Sequence, residues 1–121
     1  MEVVAVLGAS SDPSRYAYKA IKLLLECGHK PIPVHPREEE VLGLRVIHHL
    51  SELAGQNIDT ITVYVNPAIS DKVQGDFLQV HPRRVIFNPG AENPRLALIL
   101  AQNGIKVEDA CTLVLLKTGQ Y

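Results

Sequence analysis

Short apolar runs recur along the chain, and four of them are closed by a break that contains glycine or proline. Residues 3–7 form the first run, VVAVL, which ends at Gly8-Ala9-Ser10. After the polar turn Ser11-Asp12-Pro13-Ser14 the period changes. Ala17, Ile21, Leu24 and Leu25 then share one face of a helix, and Arg15, Tyr18, Lys19, Lys22 and Glu26 share the other. Gly28 stands where a helix C′ glycine belongs, and a second strand begins at residues 32–34. Strand, small-residue turn, helix and strand make a βαβ unit whose first turn aims backbone N–H groups at an anion.

The alternation continues beyond this unit. Residues 37–40, REEE, read as a charged surface turn, and residues 44–46 as a short extended segment. Ser51 is placed to cap a brief helical turn. Residues 58–65, IDTITVYV, are rich in β-branched side chains and predict a central strand ending at Asn66-Pro67. A helix over 70–80 follows, with Ile69, Val73, Phe77 and Val80 spaced to cover a sheet. Residues 84–87 predict a strand closed by Asn88-Pro89-Gly90. Glu92 or Asn93 opens the next helix, in which Leu96, Ile99 and Leu100 face inward and which Gly104 ends. Residues 105–107 predict the last strand, and the apolar tail at 113–116 is read as helical.

Strands alternating with helices predict an α/β, three-layer Rossmann-like fold, with a mainly parallel sheet flanked by helices and right-handed crossovers. At 121 residues the chain is expected to be a single domain, residues 1–121. In such sheets the ligand lies outside the carboxyl ends of the strands. The breaks at Gly8-Ala9-Ser10, His35-Pro36, Asn66-Pro67 and Asn88-Pro89-Gly90 all follow strands and are expected to gather on one edge.

Composition narrows the class. A formal net charge of −1 argues against broad nucleic-acid binding, so an anionic ligand must be held by local positive charge. No apolar run is long enough to span a bilayer, and the chain starts directly in a strand, so the expected location is cytoplasmic. Cys27 and Cys111 have neither metal nor redox spacing. Both are expected as buried core thiols, with Cys111 alternatively near the ligand edge. The five histidines have no metal-binding spacing on a helix. His48 and His49 belong to a loop beside the cleft, and His81 to a turn.

The glycine turn lacks the second glycine of GxGxxG. NAD-binding folds usually place an acid at the end of the second strand for the ribose hydroxyls. Here the residues are Val34-His35-Pro36-Arg37. The missing acid favours a ribose that carries a phosphate, as in coenzyme A or NADP.

The segment GASSDPSRYAYKAIKLLLECGHKPIPVHP resembles the opening of the small stand-alone CoA-binding domain proteins, which are similar to the CoA-binding domain of the succinyl-CoA synthetase α subunit. The resemblance continues through Leu42-Gly43, Tyr64-Val65-Asn66-Pro67, residues 86–93 (IFNPGAEN) and residues 108–111 (EDAC), covering nearly the whole chain. Two sites, three residues in all, depart from the family. Phe87 and Asn88 stand where Trp-x-Gln is common, and His35 where Asn is frequent.

The resemblance implies a Rossmann-like domain that binds coenzyme A or an acyl-CoA. It implies that Gly8, Ala9 and Ser10 cradle phosphate and that Arg15 and Lys19 neutralise it. Val34, His35 and Pro36 flank the adenosine, and Val65, Asn66 and Pro67 line the other side. Lys22 lies farther along the same helix face. Tyr16 and Tyr18 either cover the cleft or pack as surface aromatics.

No Ser-His-Asp or Cys-His constellation is evident, so the expected role is ligand binding without catalysis. The alternatives are a small NADP- or thioester-dependent enzyme using Cys111, and a regulatory subunit that senses a nucleotide. The expected partner is a small nucleotide ligand, with no nucleic acid and no membrane. A homo-oligomer is possible through the apolar tail, if that tail is exposed.

Overall fold

The structure is a computed structural model that describes residues 1–121. Five parallel strands form its sheet: β1 (Val3–Leu7), β2 (Lys30–Val34), β5 (Thr60–Val63), β6 (Arg84–Phe87) and β7 (Lys106–Asp109), in the spatial order β2-β1-β5-β6-β7. The register runs Leu7 beside Val34, Leu7 beside Val63, Val63 beside Phe87 and Phe87 beside Asp109. All the strands therefore end at one level. The chain moves outward from β1 to β2 and then returns to β1's other side at β5, so the order reverses between β1 and β5. That reversal is the switch point at which open α/β sheets leave a crevice.

Helices cover both faces. The helix α1 (Tyr16–Glu26) buries Ala17, Ala20, Ile21 and Leu24, whereas Leu25 is exposed. The inward stripe is thus shifted by one position from the one predicted. Tyr18 packs against this core from the flank, together with Val4, Val6 and Ala9. The helix α5 (Thr112–Lys117) packs beside α1. In the apolar tail Leu113 is buried, Leu115 and Leu116 are half-buried, and Val114 alone is exposed. The tail is therefore a packed helix and not the open docking face considered from sequence.

The other face carries the larger core, in which Phe77, Phe87, Leu96 and Leu100 meet Ile61, Val63 and Val85. The predicted helix over 70–80 is two helices, α2 (Pro67–Lys72) and α3 (Gln74–Val80), with Val73 at φ −109° between them. β-branched Val73 and nearby Gly75 are weak helix formers. The break leaves Ile69 exposed while Phe77 and Val80 face the sheet. The helix α4 (Pro94–Gln102) is capped by Asn93, whose side chain accepts from the Leu96 N–H.

The brief turn predicted with a Ser51 cap is a 3₁₀ turn, Leu50–Leu53. It is entered from His49, whose N–H donates to the Glu52 carboxylate at 3.0 Å. The charged stretch after β2 is not only a turn. Its last residue starts a small hairpin, β3 (Glu40–Val41) with β4 (Leu44–Arg45). Ile47, beyond the hairpin, pairs with the outer side of β2 beside Val34 and covers that edge.

Candidate functional site

A cavity of about 350 Å³ opens at the carboxyl end of the sheet, over the crevice between β1 and β5. Gly8, Ala9, Ser10, Arg15 and His35, all named from sequence as candidate ligand contacts, line it. Tyr16, Ala17, Glu38, Tyr64 and Pro89 complete its wall. The residues come from the ends of four strands and the start of α1, so the strand-end breaks do gather on one edge.

The floor of the cavity depends on Gly8. Its φ of +91° lies in the left-handed region, and a Cβ there would stand 2.9 Å from Val65 Cγ1 and 3.2 Å from the Tyr64 carbonyl carbon. Only glycine fits this turn without strain. The Gly8 and Ala9 N–H groups both donate to the Val34 carbonyl, at 3.0 and 3.1 Å. The sequence reading took all three amides of the turn as free for phosphate, and two of them are already used. The Ser10 N–H has no partner within the protein.

The loop leading into α1 is ordered by its own side chains. Asp12 accepts from the Ser14 N–H at 3.0 Å and from the Ser14 hydroxyl at 2.8 Å, and these bonds hold its carboxyl below the usual range. Arg15 lies 3.9 Å from Asp12, and with 73% of its side chain exposed it is free to turn toward an anion. Lys19 does not line the cavity; its ammonium sits 5.4 Å from the Tyr16 ring centroid.

At the end of β2 the structure adds an acid that was not expected. Glu38 folds back over the turn and accepts from the Ser11 N–H at 2.8 Å. Hydrogen bonds from Ser11 hold it below its ordinary pKa, so it is a carboxylate. His35 explains how it gets there. The His35 Nδ1 accepts from both the Arg37 and Glu38 N–H groups, each at 3.0 Å, as an asparagine side chain does in an Asx turn. Burial is the main cause that lowers the His35 pKa, and the neighbouring Glu38 carboxylate opposes it. A neutral ring with Nδ1 bare is what these two bonds require.

The other predicted residues lie outside the cavity. Val34 is buried and contributes only its carbonyl to the turn. Pro36 is exposed outside the cavity, and Val65 abuts Gly8 from behind. Asn66 caps α2, accepting from the Ile69 N–H at 3.1 Å, and Pro67 is that helix's first residue. None of Pro36, Val65, Asn66 or Pro67 lines the cavity. Tyr64 and Pro89, not named among the candidate site residues, do, because they lie one and two residues beyond the ends of β5 and β6. Tyr64 is largely buried, which pushes its pKa up to about 12, and its hydroxyl has no hydrogen-bond partner.

The Asn88 side chain points into the protein. Its Nδ2 donates to Thr62 Oγ1 at 2.7 Å and to the Val63 carbonyl at 2.9 Å, and its Oδ1 accepts from the Thr112 N–H at 2.9 Å. It ties β5, β6 and α5 together. Cys111 is half-buried just before α5, and Cys27 is exposed at the end of α1, contrary to its expected burial.

Comparison with known proteins agrees with this architecture. A solved structure of an uncharacterised protein superposes with a TM-score of 0.94 at 41% identity, covering 100% of this chain and 98% of that one. The uncharacterised protein YneT of Bacillus subtilis is 29% identical over 112 residues, 92% of this chain and 82% of its own. The α subunit of the ADP-forming acetate–CoA ligase II of Pyrococcus furiosus is 43% identical over 54 residues, 44% of this chain but 12% of the subunit. The model of the CoA-binding domain matches residues 2–117. The chain therefore belongs to the CoA-binding domain family.

Proposed function

We propose that the protein binds coenzyme A or an acyl-CoA at the carboxyl end of its sheet and acts as a ligand-binding module. The observation that carries this reading is the crevice over Gly8 in a chain that the family model spans from residue 2 to 117. The groups present fit the ligand's phosphates. Gly8 lets the ligand approach the backbone, the Ser10 amide is without a partner, and Arg15 can swing onto an anion. Coenzyme A would supply a thiol for carrying acyl groups.

A second reading has one observation in its favour. Glu38 is an acid beyond the end of β2, and such a carboxylate accepts hydrogen bonds from a ribose with free hydroxyls. It would repel a ribose phosphate. NAD or dephospho-CoA would then bind better than coenzyme A.

Native mass spectrometry of freshly purified protein, followed by calorimetric titration with CoA, dephospho-CoA, NAD and NADP, separates the two. Carry-over of a CoA-sized species, or tighter binding of CoA than of the other three, is the expected result. Tighter binding of NAD or dephospho-CoA would transfer the lead to the second reading. No binding of any of them would sink both.

A further inference from the structure

Tyr16, Tyr64 and Pro89 line a second cavity as well, of about 230 Å³, whose remaining wall is Asn88, Cys111 and Leu113. The two cavities therefore share one wall and differ in chemistry. The first presents Arg15, His35 and Glu38; the second has no charged side chain. Asn88 adds little polarity, because its amide is bonded to Thr62, Val63 and Thr112. A ligand with phosphates at one end and a thioester at the other needs this arrangement of a polar site continuous with an apolar one. Whole small-molecule sites usually occupy about 300–1,000 Å³, so the second cavity is sized for one end of a ligand.

We propose that this second cavity receives the thiol end of the ligand with its acyl group, and that Leu113 and Cys111 limit that group to short chains such as acetyl or propionyl. The inference rests on the CoA reading above and adds the class of acyl group. Its physical basis is ordinary transfer of methylene groups from water to an apolar wall, ended by the limited depth of the cavity. Leu113 is 8% exposed and is held by the packing of α5, so the wall cannot recede freely.

The two cysteines make the test internally controlled. Cys111 lines the cavity, whereas Cys27 is exposed and lines neither cavity. The full chain is titrated with CoA, acetyl-CoA, propionyl-CoA and octanoyl-CoA, and iodoacetamide labelling of each cysteine is followed by peptide mass spectrometry. The expected result is a gain of about fourfold in affinity per added methylene for the short chains, lost again at octanoyl. Acetyl-CoA is expected to slow labelling of Cys111 at least tenfold and to leave Cys27 unchanged. Leu113→Ala should move the preferred chain toward octanoyl. Cys111→Ala, at a half-buried position, should do the same if Leu113→Ala does not fold. Chain-length-independent affinity with Cys111 labelled equally fast in the complex would overturn the acyl site and leave CoA binding standing. Failure of CoA and all three thioesters to bind would overturn both.

Discussion

Gly8 is where backbone geometry and ligand access meet in one residue. Alanine there needs a left-handed φ and a Cβ 2.9 Å from Val65, so Gly8→Ala is expected to lose about 1–3 kcal/mol in urea unfolding and to weaken CoA binding. Arg15 is exposed and weakly paired, so Arg15→Ala should leave stability unchanged while weakening CoA about tenfold or more by calorimetry. His35 couples the site to pH. Its folded pKa lies below its ordinary value, so the unfolded chain takes the proton first. Its contribution is complete above the ordinary imidazole range and disappears as pH falls through the lowered value. Protonation puts a hydrogen on Nδ1 and ends both bonds from the Arg37 and Glu38 N–H groups, which loosens the turn that carries Glu38. His35→Asn should keep the turn, since an amide oxygen can accept the same two bonds, and should flatten the pH dependence of CoA affinity between pH 5 and 7.5. An unchanged pH profile in that variant would remove His35 from this role.

At the scale of elements, the strands and their order of appearance were legible because most apolar runs end near a glycine or proline whose backbone demand is local. Gly8 and Asn88-Pro89-Gly90 marked two strand ends correctly for that reason. Some misreadings involve contacts that local pattern does not encode, whereas the break at Val73 follows weak helix formers that the sequence itself carries. The helix over 70–80 divides at Val73, and the charged stretch after β2 feeds a hairpin. Of the residues named from sequence, Gly8, Ala9, Ser10, Arg15 and His35 line the cavity, whereas the Val34 carbonyl and the Asn66 side chain bond within the chain. Glu38 was unreadable as a site residue, since its position depends on two hydrogen bonds to His35. Asn88 belongs to the same class of long-range contact. Removing its amide in Asn88→Ala strands the Thr112 N–H and frees the start of α5. We expect a loss of about 2–3 kcal/mol in urea unfolding and faster iodoacetamide labelling of Cys111, with Cys27 unaffected.

Across the whole molecule, the proposed ligand site and the largest cluster of ion pairs lie at opposite edges of the same sheet. The carboxyl edge carries the two adjoining cavities over Gly8 and beside Cys111. The amino edge is tied together by Arg84, at the start of β6, whose side chain is 11% exposed. Its Nε donates to Thr60 Oγ1 at 3.1 Å, and its terminal nitrogens donate to Glu2 and Glu108 at 3.3 Å each and to the Tyr121 carbonyl at 3.1 Å. Its guanidinium also lies 4.4 Å from the Tyr121 ring centroid. One cation thus holds together residues preceding β1, on β5, on β7 and following α5. Arg84→Met would keep most of the volume but leave Glu2 without its cation and Glu108 with only the exposed Lys106, 3.8 Å away, so it is expected to lose about 3 kcal/mol. Neutralising the acids in the same chain, as Glu2→Gln with Glu108→Gln, should restore much of that loss, because the unpaired charges and not the missing contacts dominate it. Urea unfolding of the single, double and triple variants measures this directly. CoA affinity should stay constant throughout the series, since Arg84 and both acids lie at the far end of the strands from Gly8. A change in affinity that tracked the loss of stability would mean that the two edges of the sheet are energetically coupled.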